Sequence, residues 1–123
     1  MPNRVIRVAE VSLAHDPLPD EQVVAGAPST GSTALDVSDV WEAGVWEHTV
    51  GTSTDVEADE VFVVISGRAT IAIDGGPTLE VGPGDLGILE AGSATTWTIH
   101  ETLRKVYVTP SGAATDGSET EGS

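Results

Sequence analysis

Residues 60–92 allow little except antiparallel β structure. Runs of Val, Ile and Leu stand between glycine-bearing breaks: Glu60 to Ser66, then Gly67, then Arg68 to Ile73, then Gly75-Gly76. Thr78 to Val81 follows, then Gly82-Pro83-Gly84-Asp85, Leu86 to Leu89, and Glu90-Ala91-Gly92. β-Branched residues suit a pleated, half-buried surface, and Gly and Pro at this spacing mark turns. The pattern predicts two hairpins, one turning at Gly67 and one at 82–85. No stretch of ten or more residues carries a helical period, and no repeat is present. Short strands with Gly/Pro turns define an all-β sandwich or barrel.

The remaining chain extends this reading. Residues 4–8 predict a first short strand, and 14–32, with Pro17, Pro19, Gly26, Pro28 and Gly31, a long loop broken by a short strand at 22–25. Strands are expected at 33–37 and 45–50. In the latter, alternation sets Trp46, His48 and Val50 on one face and Val45, Glu47 and Thr49 on the other. Residues 51–55 read as a turn or loop. Extended structure resumes at 93–99, corners at Glu101-Thr102, and ends with a strand at 103–108. There Leu103, Lys105 and Tyr107 share a face. The expected organisation is an N-terminal arm and loop over 1–36, a barrel over 37–109, and an acidic tail over 110–123. The tail has no large apolar residue and is expected to be disordered.

Charge narrows the partners. One Lys and four Arg face twenty acids, for a net charge of −15. Nucleic acid and anionic membranes both need clustered cations, so neither is expected. An acidic surface serves solubility, or meets a cationic partner. With no Cys, a disulfide, a thiolate nucleophile and a Cys-bound zinc are excluded. The first residues lack the apolar core of a secretory signal, and no run approaches the roughly 20 apolar residues of a membrane helix. A cytoplasmic location is the expectation.

The order and spacing of several motifs resemble the cupin superfamily, whose fold is a β-jelly-roll barrel. Glu60, six residues, then Gly67 matches the end of its first motif. Gly84-Asp85, a short apolar strand and Glu90-Ala91-Gly92 match its second, with Glu90 where Pro usually stands. Gly44-Val45-Trp46-Glu47, Asp59-Glu60, Trp97 and the final Arg104-Lys105-Val106-Tyr107-Val108 are similar to the small branch related to ureidoglycine aminohydrolase and the ethanolamine-utilisation cupin. The resemblance covers about residues 37–108 and implies a single-domain barrel, commonly a homodimer. It also implies a divalent metal held by His-x-His, a Glu and a later His. Here the two first positions fall on Thr54 and Val56 or on Ser53 and Asp55, the last falls on Thr95, and only Glu60 is retained. The expectation is therefore no metal and no other cofactor, the one alternative being an unconventional set of Glu60, His48 and Asp55.

Glu60 is the leading site candidate. It shares a face with Phe62 and Val64, the face lining the barrel in the family, where a carboxylate needs a partner. Its alternative is a solvated position at the barrel mouth. If Lys105 and Tyr107 point inward, Lys105 is the natural counter-ion and Tyr107 adds a hydroxyl; otherwise Lys105 is an edge-strand charge that discourages aggregation. Trp41, Trp46 and Trp97 form a possible apolar wall for a planar or amine-bearing ligand, or are packing in a core short of Phe. His48 reads as a structural histidine or a ligand contact. His15 and His100 read as solvated, Asp85 as a turn residue, Glu47 as facing cavity or outer sheet, and Asp59 as surface. No Ser-His-Asp set is legible.

The expected ligand-binding set is Trp46, His48, Glu60, Thr95, Trp97, Lys105 and Tyr107, with Glu60 as the one catalytic candidate. Three functions stay open. The first is metal-independent binding of a small polar metabolite in the barrel. The second is an enzyme of the ureidoglycine-aminohydrolase or isomerase kind, with Glu60 as general acid and base. The third is a non-catalytic structural or accessory dimer, which a barrel filled by side chains would favour.

Overall fold

The computed structural model describes residues 3–111, so all but the first two residues of the tail expected over 110–123 lie outside the described residues, and Pro110 ends the last strand. Among the described residues nine strands form one curled antiparallel sheet: β1 Asp16–Pro17, β2 Val23–Ala25, β3 Ser29–Leu35, β4 Trp41–His48, β5 Gly51–Val56, β6 Glu60–Ile73, β7 Thr78–Val81, β8 Leu86–Leu89 and β9 Ala94–Pro110. Two short 3-10 turns, Val8–Glu10 and Asp20–Gln22, complete the elements. This is an all-β cupin fold, as the sequence predicts.

Two long strands organise it. β9 pairs along one edge with β5 through its first half and with β4 through its second, and along the other edge with the whole of β6. β6 in turn carries β8 beside its first half and β7 beside its second. Register shifts between Val64 and Ala69 of β6 bend the pair, as bulges do. The sheet therefore folds over on itself and brings its two ends face to face. Trp46, Phe62, Val64, Ile71, Leu89, Trp97, Ile99 and Leu103 fill the space between them.

Four expectations change. No turn forms at Gly67, because β6 runs through it and lies against β9. Its backbone is left-handed (φ +88°), and a Cβ there would strike the carbonyl of Thr102. The hairpin across 82–85 is also absent, since β7 and β8 each pair with β6 and not with one another. Asp85 nonetheless stabilises that link, its Oδ2 accepting from the Gly82 amide at 2.8 Å. Residues 51–55 are strand β5 rather than a turn. Residues 4–8 form no strand. They run extended into the first 3-10 turn, tethered by Arg104 Nη1, which donates to the Val8 and Val11 carbonyls at 2.8 Å.

Candidate functional site

Strand alternation carries Trp46 on β4, Phe62 on β6, and Trp97 and Lys105 on β9 into the interior. Lys105 has no exposed surface, and its Nζ lies 4.5 Å from the Trp46 ring, 4.6 Å from Phe62 and 4.8 Å from Trp97. It donates to Glu60 Oε2 at 2.5 Å. The counter-ion relation expected from the sequence is thus present, inside an aromatic cage. Each ring offers its negative face to the ammonium, and Trp97 also packs at a tilt on Trp46 and Phe62, contacts worth about 0.5–1.5 kcal/mol each. Burial pushes the Glu60 carboxyl above the usual carboxylate range, and Lys105 draws it part of the way back.

Tyr107 follows on the same face, half-buried against the core. Its hydroxyl lies where a Cβ on Gly44 would stand, and the Phe62 ring likewise covers Gly87. Gly44, Tyr107, Phe62 and Gly87 form one row across four strands, so two glycines make room for two rings. Trp41 stands apart, 42% exposed, beside Val61 and Val108 on a separate groove.

His48 is buried with both nitrogens engaged, Nδ1 at 2.7 Å from the Thr49 carbonyl and Nε2 at 2.8 Å from Ser53 Oγ. A carbonyl can only accept, so Nδ1 carries the proton and Ser53 donates to Nε2. Burial lowers the imidazole pKa, against the Thr49 carbonyl, which favours the charged form, and with help from Lys105. His48 is a neutral bracket between β4 and β5. His15 is not simply solvated: its Nε2 meets Glu47 Oε1 at 2.7 Å, and Arg104 Nε holds the other Glu47 oxygen at 3.0 Å. Glu47 thereby lies on the outer face.

A second polar cluster lies toward the mouth of the barrel. Thr95 on β9 donates to Glu57 Oε2 at 2.7 Å, and Trp97 Nε1 donates to the same oxygen at 3.0 Å. Glu57 is only 3% exposed, and among the described residues its Oε1 has no hydrogen-bond partner; neither does the buried Trp46 Nε1. A buried acceptor and a buried donor left unpaired each cost about 1–3 kcal/mol, a cost that a trapped water or a ligand bringing the missing groups would offset. In front of Thr95 opens a groove of about 960 Å³, lined by Asp55, Asp74, Gln22, Thr54, Thr95 and Thr96 among others. The Asp55 carboxyl there is pushed up to about 7, first by burial and then by the nearby Glu57 charge, with the Val56 amide and Lys105 opposing. A carboxyl titrating near neutrality gives or takes a proton readily at physiological pH.

The structure therefore brings Trp46, Glu60, Trp97 and Lys105 into one cage, places Thr95 at its rim, and sets His48 to one side. Sequence reasoning missed Glu57. Ser53, Asp55 and Glu57 follow in strict alternation, a pattern lost when 51–55 is read as a turn.

The metal that the cupin resemblance implies does not fit these residues. Ser53 and Thr95 at the family's ligand positions spend their hydroxyls on His48 and Glu57, Glu60 is taken by Lys105, and a fixed ammonium in the same pocket repels a second cation. The alternative set of Glu60, His48 and Asp55 fails because both His48 nitrogens and the Glu60 carboxylate are already engaged. Among the described residues no three His, Cys, Asp or Glu side chains are grouped so as to share a metal ion.

Comparison with known proteins agrees with this fold. Residues 35–107 match the model of the EutQ-like cupin domain. The EutQ protein of Clostridium difficile has a similar structure (TM-score 0.69, 21% identity, 86% of this chain and 85% of that one). A Pseudomonas syringae protein of unknown function is also similar (TM-score 0.68, 24% identity), over 80% of this chain but 44% of its own. A putative ethanolamine utilisation protein from Salmonella typhimurium follows (TM-score 0.59, 17% identity, 80% and 95%). No curated protein matches the sequence. With a family match across most of the barrel and the same fold in these structures, the chain belongs to the EutQ-like cupin domain family.

Proposed function

We propose that this domain binds a small polar metabolite without a metal ion, and that the ligand sits in the mouth groove rather than at the barrel centre. The centre is occupied by the Lys105–Glu60 pair and its three rings. One observation carries the reading. Glu57 Oε1 is a buried acceptor with no partner among the described residues, and it belongs to a carboxylate gripped by Thr95, one of the residues that line the groove. Native proteins rarely leave such an atom unmet, and where they do, the position is commonly functional. A concave site with a few converging polar groups beside apolar walls is the ordinary form of a small-molecule pocket.

The test is a two-dimensional amide NMR titration against a panel of small amines, ureides, hydroxy acids and polyols. A true ligand shifts resonances of Thr54, Asp55, Ala72, Ile73, Thr95 and Thr96. Replacing Thr95 by Val removes a hydrogen bond to a charged group and is expected to weaken binding by about tenfold or more. Shifts confined to other surfaces, or none from any compound, would refute the mouth as a site.

A further inference from the structure

We infer that the mouth groove selects a small organic cation with N–H donors, of the ammonium or amidinium class, over neutral or anionic molecules of the same shape. The inference rests on the binding reading above and deepens it by naming the ligand's charge. Asp55 and Asp74 both line the groove, and among the described residues no Lys, Arg or His does. Directly behind lie Glu57 and Glu60, close enough that both act on the Asp55 carboxyl. Against these carboxylates stands one ammonium, that of Lys105, fully buried and committed to Glu60.

Hydrogen bonding points the same way. The Thr95 hydroxyl donates to Glu57 and accepts from Trp97 Nε1 at 3.1 Å, so it has no donor to spare for the groove. Glu57 Oε1, on a side chain as buried as the core, lacks a donor and not an acceptor. An acetate-like ligand would bring a further charge of the wrong sign into a half-buried acidic site. A neutral amide would supply donors but leave the repulsion between Asp55 and Glu57 in place. A cation does both, and the cage around Lys105 shows how this interior stabilises an ammonium.

Acetamidinium, acetamide and acetate provide the test, since they share a shape and differ in charge. Each is titrated into the whole chain at pH 8 and pH 5, at one ionic strength set with sodium chloride. Amide NMR shifts and thermal melting are both recorded. The groups facing Asp55 are Glu57, Glu60, Lys105 and Asp74. Its folded-state pKa lies above the unfolded value near 3.8, so the native state holds the extra proton between about 4 and 7 and loses stability as pH rises through that range. A bound cation offsets this loss.

Acetamidinium is therefore expected to shift Asp55, Asp74 and Thr95 at pH 8, and to bind about tenfold or more weakly at pH 5. Asp55→Asn is expected to melt above the wild type at pH 8 and to lose the preference for acetamidinium, which separates loss of binding from loss of fold. Acetamide or acetate binding the same residues as tightly as acetamidinium would overturn cation selection and leave the binding reading intact. So would acetamidinium binding that ignores pH and Asp55→Asn. So too would acetamidinium staying silent while a member of the metabolite panel occupies the groove. Silence from all three probes and from the whole panel would overturn both.

Discussion

At the residue scale the decisive group is Lys105. A buried ion pair gains little over apolar residues of the same size, yet removing one partner leaves the other charge stranded, at a cost of about 3–5 kcal/mol. Lys105→Met keeps the side-chain length and removes the ammonium, so urea unfolding should show a loss in that range, with Glu60 left alone among three rings. Adding Glu60→Gln removes the stranded charge and should restore much of the stability. A single variant within about 1 kcal/mol of wild type would mean the pair contributes nothing net. This pair was legible in the sequence because alternation fixes faces, and a lone Lys in a chain of net charge −15 stands out. Glu57 was not legible. It lies just past the end of β5, in a stretch whose Thr and Ser content resembles loop composition although it pairs with β9.

At the element scale the apolar runs located most strands, and the glycines misled where they were read as turns. Gly67 and Gly75 look alike in sequence and have similar left-handed backbones, φ +88° and +75°. Gly75 sits in the tight link between β6 and β7, where an added Cβ would meet nothing within 4 Å, whereas a Cβ on Gly67 meets the Thr102 backbone. The difference is tertiary: β6 and β9 cross closely at their shared bend, and only long-range pairing reveals that. Gly75→Ala should then cost about 1 kcal/mol, the strain of a left-handed alanine. Gly67→Ala adds a backbone clash and should cost about 3 kcal/mol or more. Paired urea curves give the comparison directly, and equal losses would show that β6 and β9 yield at the bend.

At the scale of the whole molecule, the outer face is apolar where the second half of β9, the first half of β6 and β8 lie side by side, in a chain of net charge −15. Val108, Val61 and Ile88 form one row across the three strands, and Val106, Val63 and Leu86 the next. Ile88 is 69% exposed and Leu86 57%, and β8 pairs with β6 alone among the described strands. Its free edge carries no Lys, Pro or bulge to discourage pairing. We propose that a second copy of the chain covers this face. Two molecules of net charge −15 repel wherever acids meet acids, and a two-fold contact sets each surface against itself. An uncharged face meets that condition, and burying it recovers the stabilisation that its Val, Ile and Leu forgo in water. Light scattering at micromolar concentration should therefore give twice the chain mass. Ile88→Lys places like charges across the two-fold and should give a monomer whose circular dichroism is unchanged, because an exposed substitution costs about 0.5 kcal/mol or less in fold stability. A wild-type monomer, or a dimer indifferent to the lysine, would place the contact elsewhere or remove it.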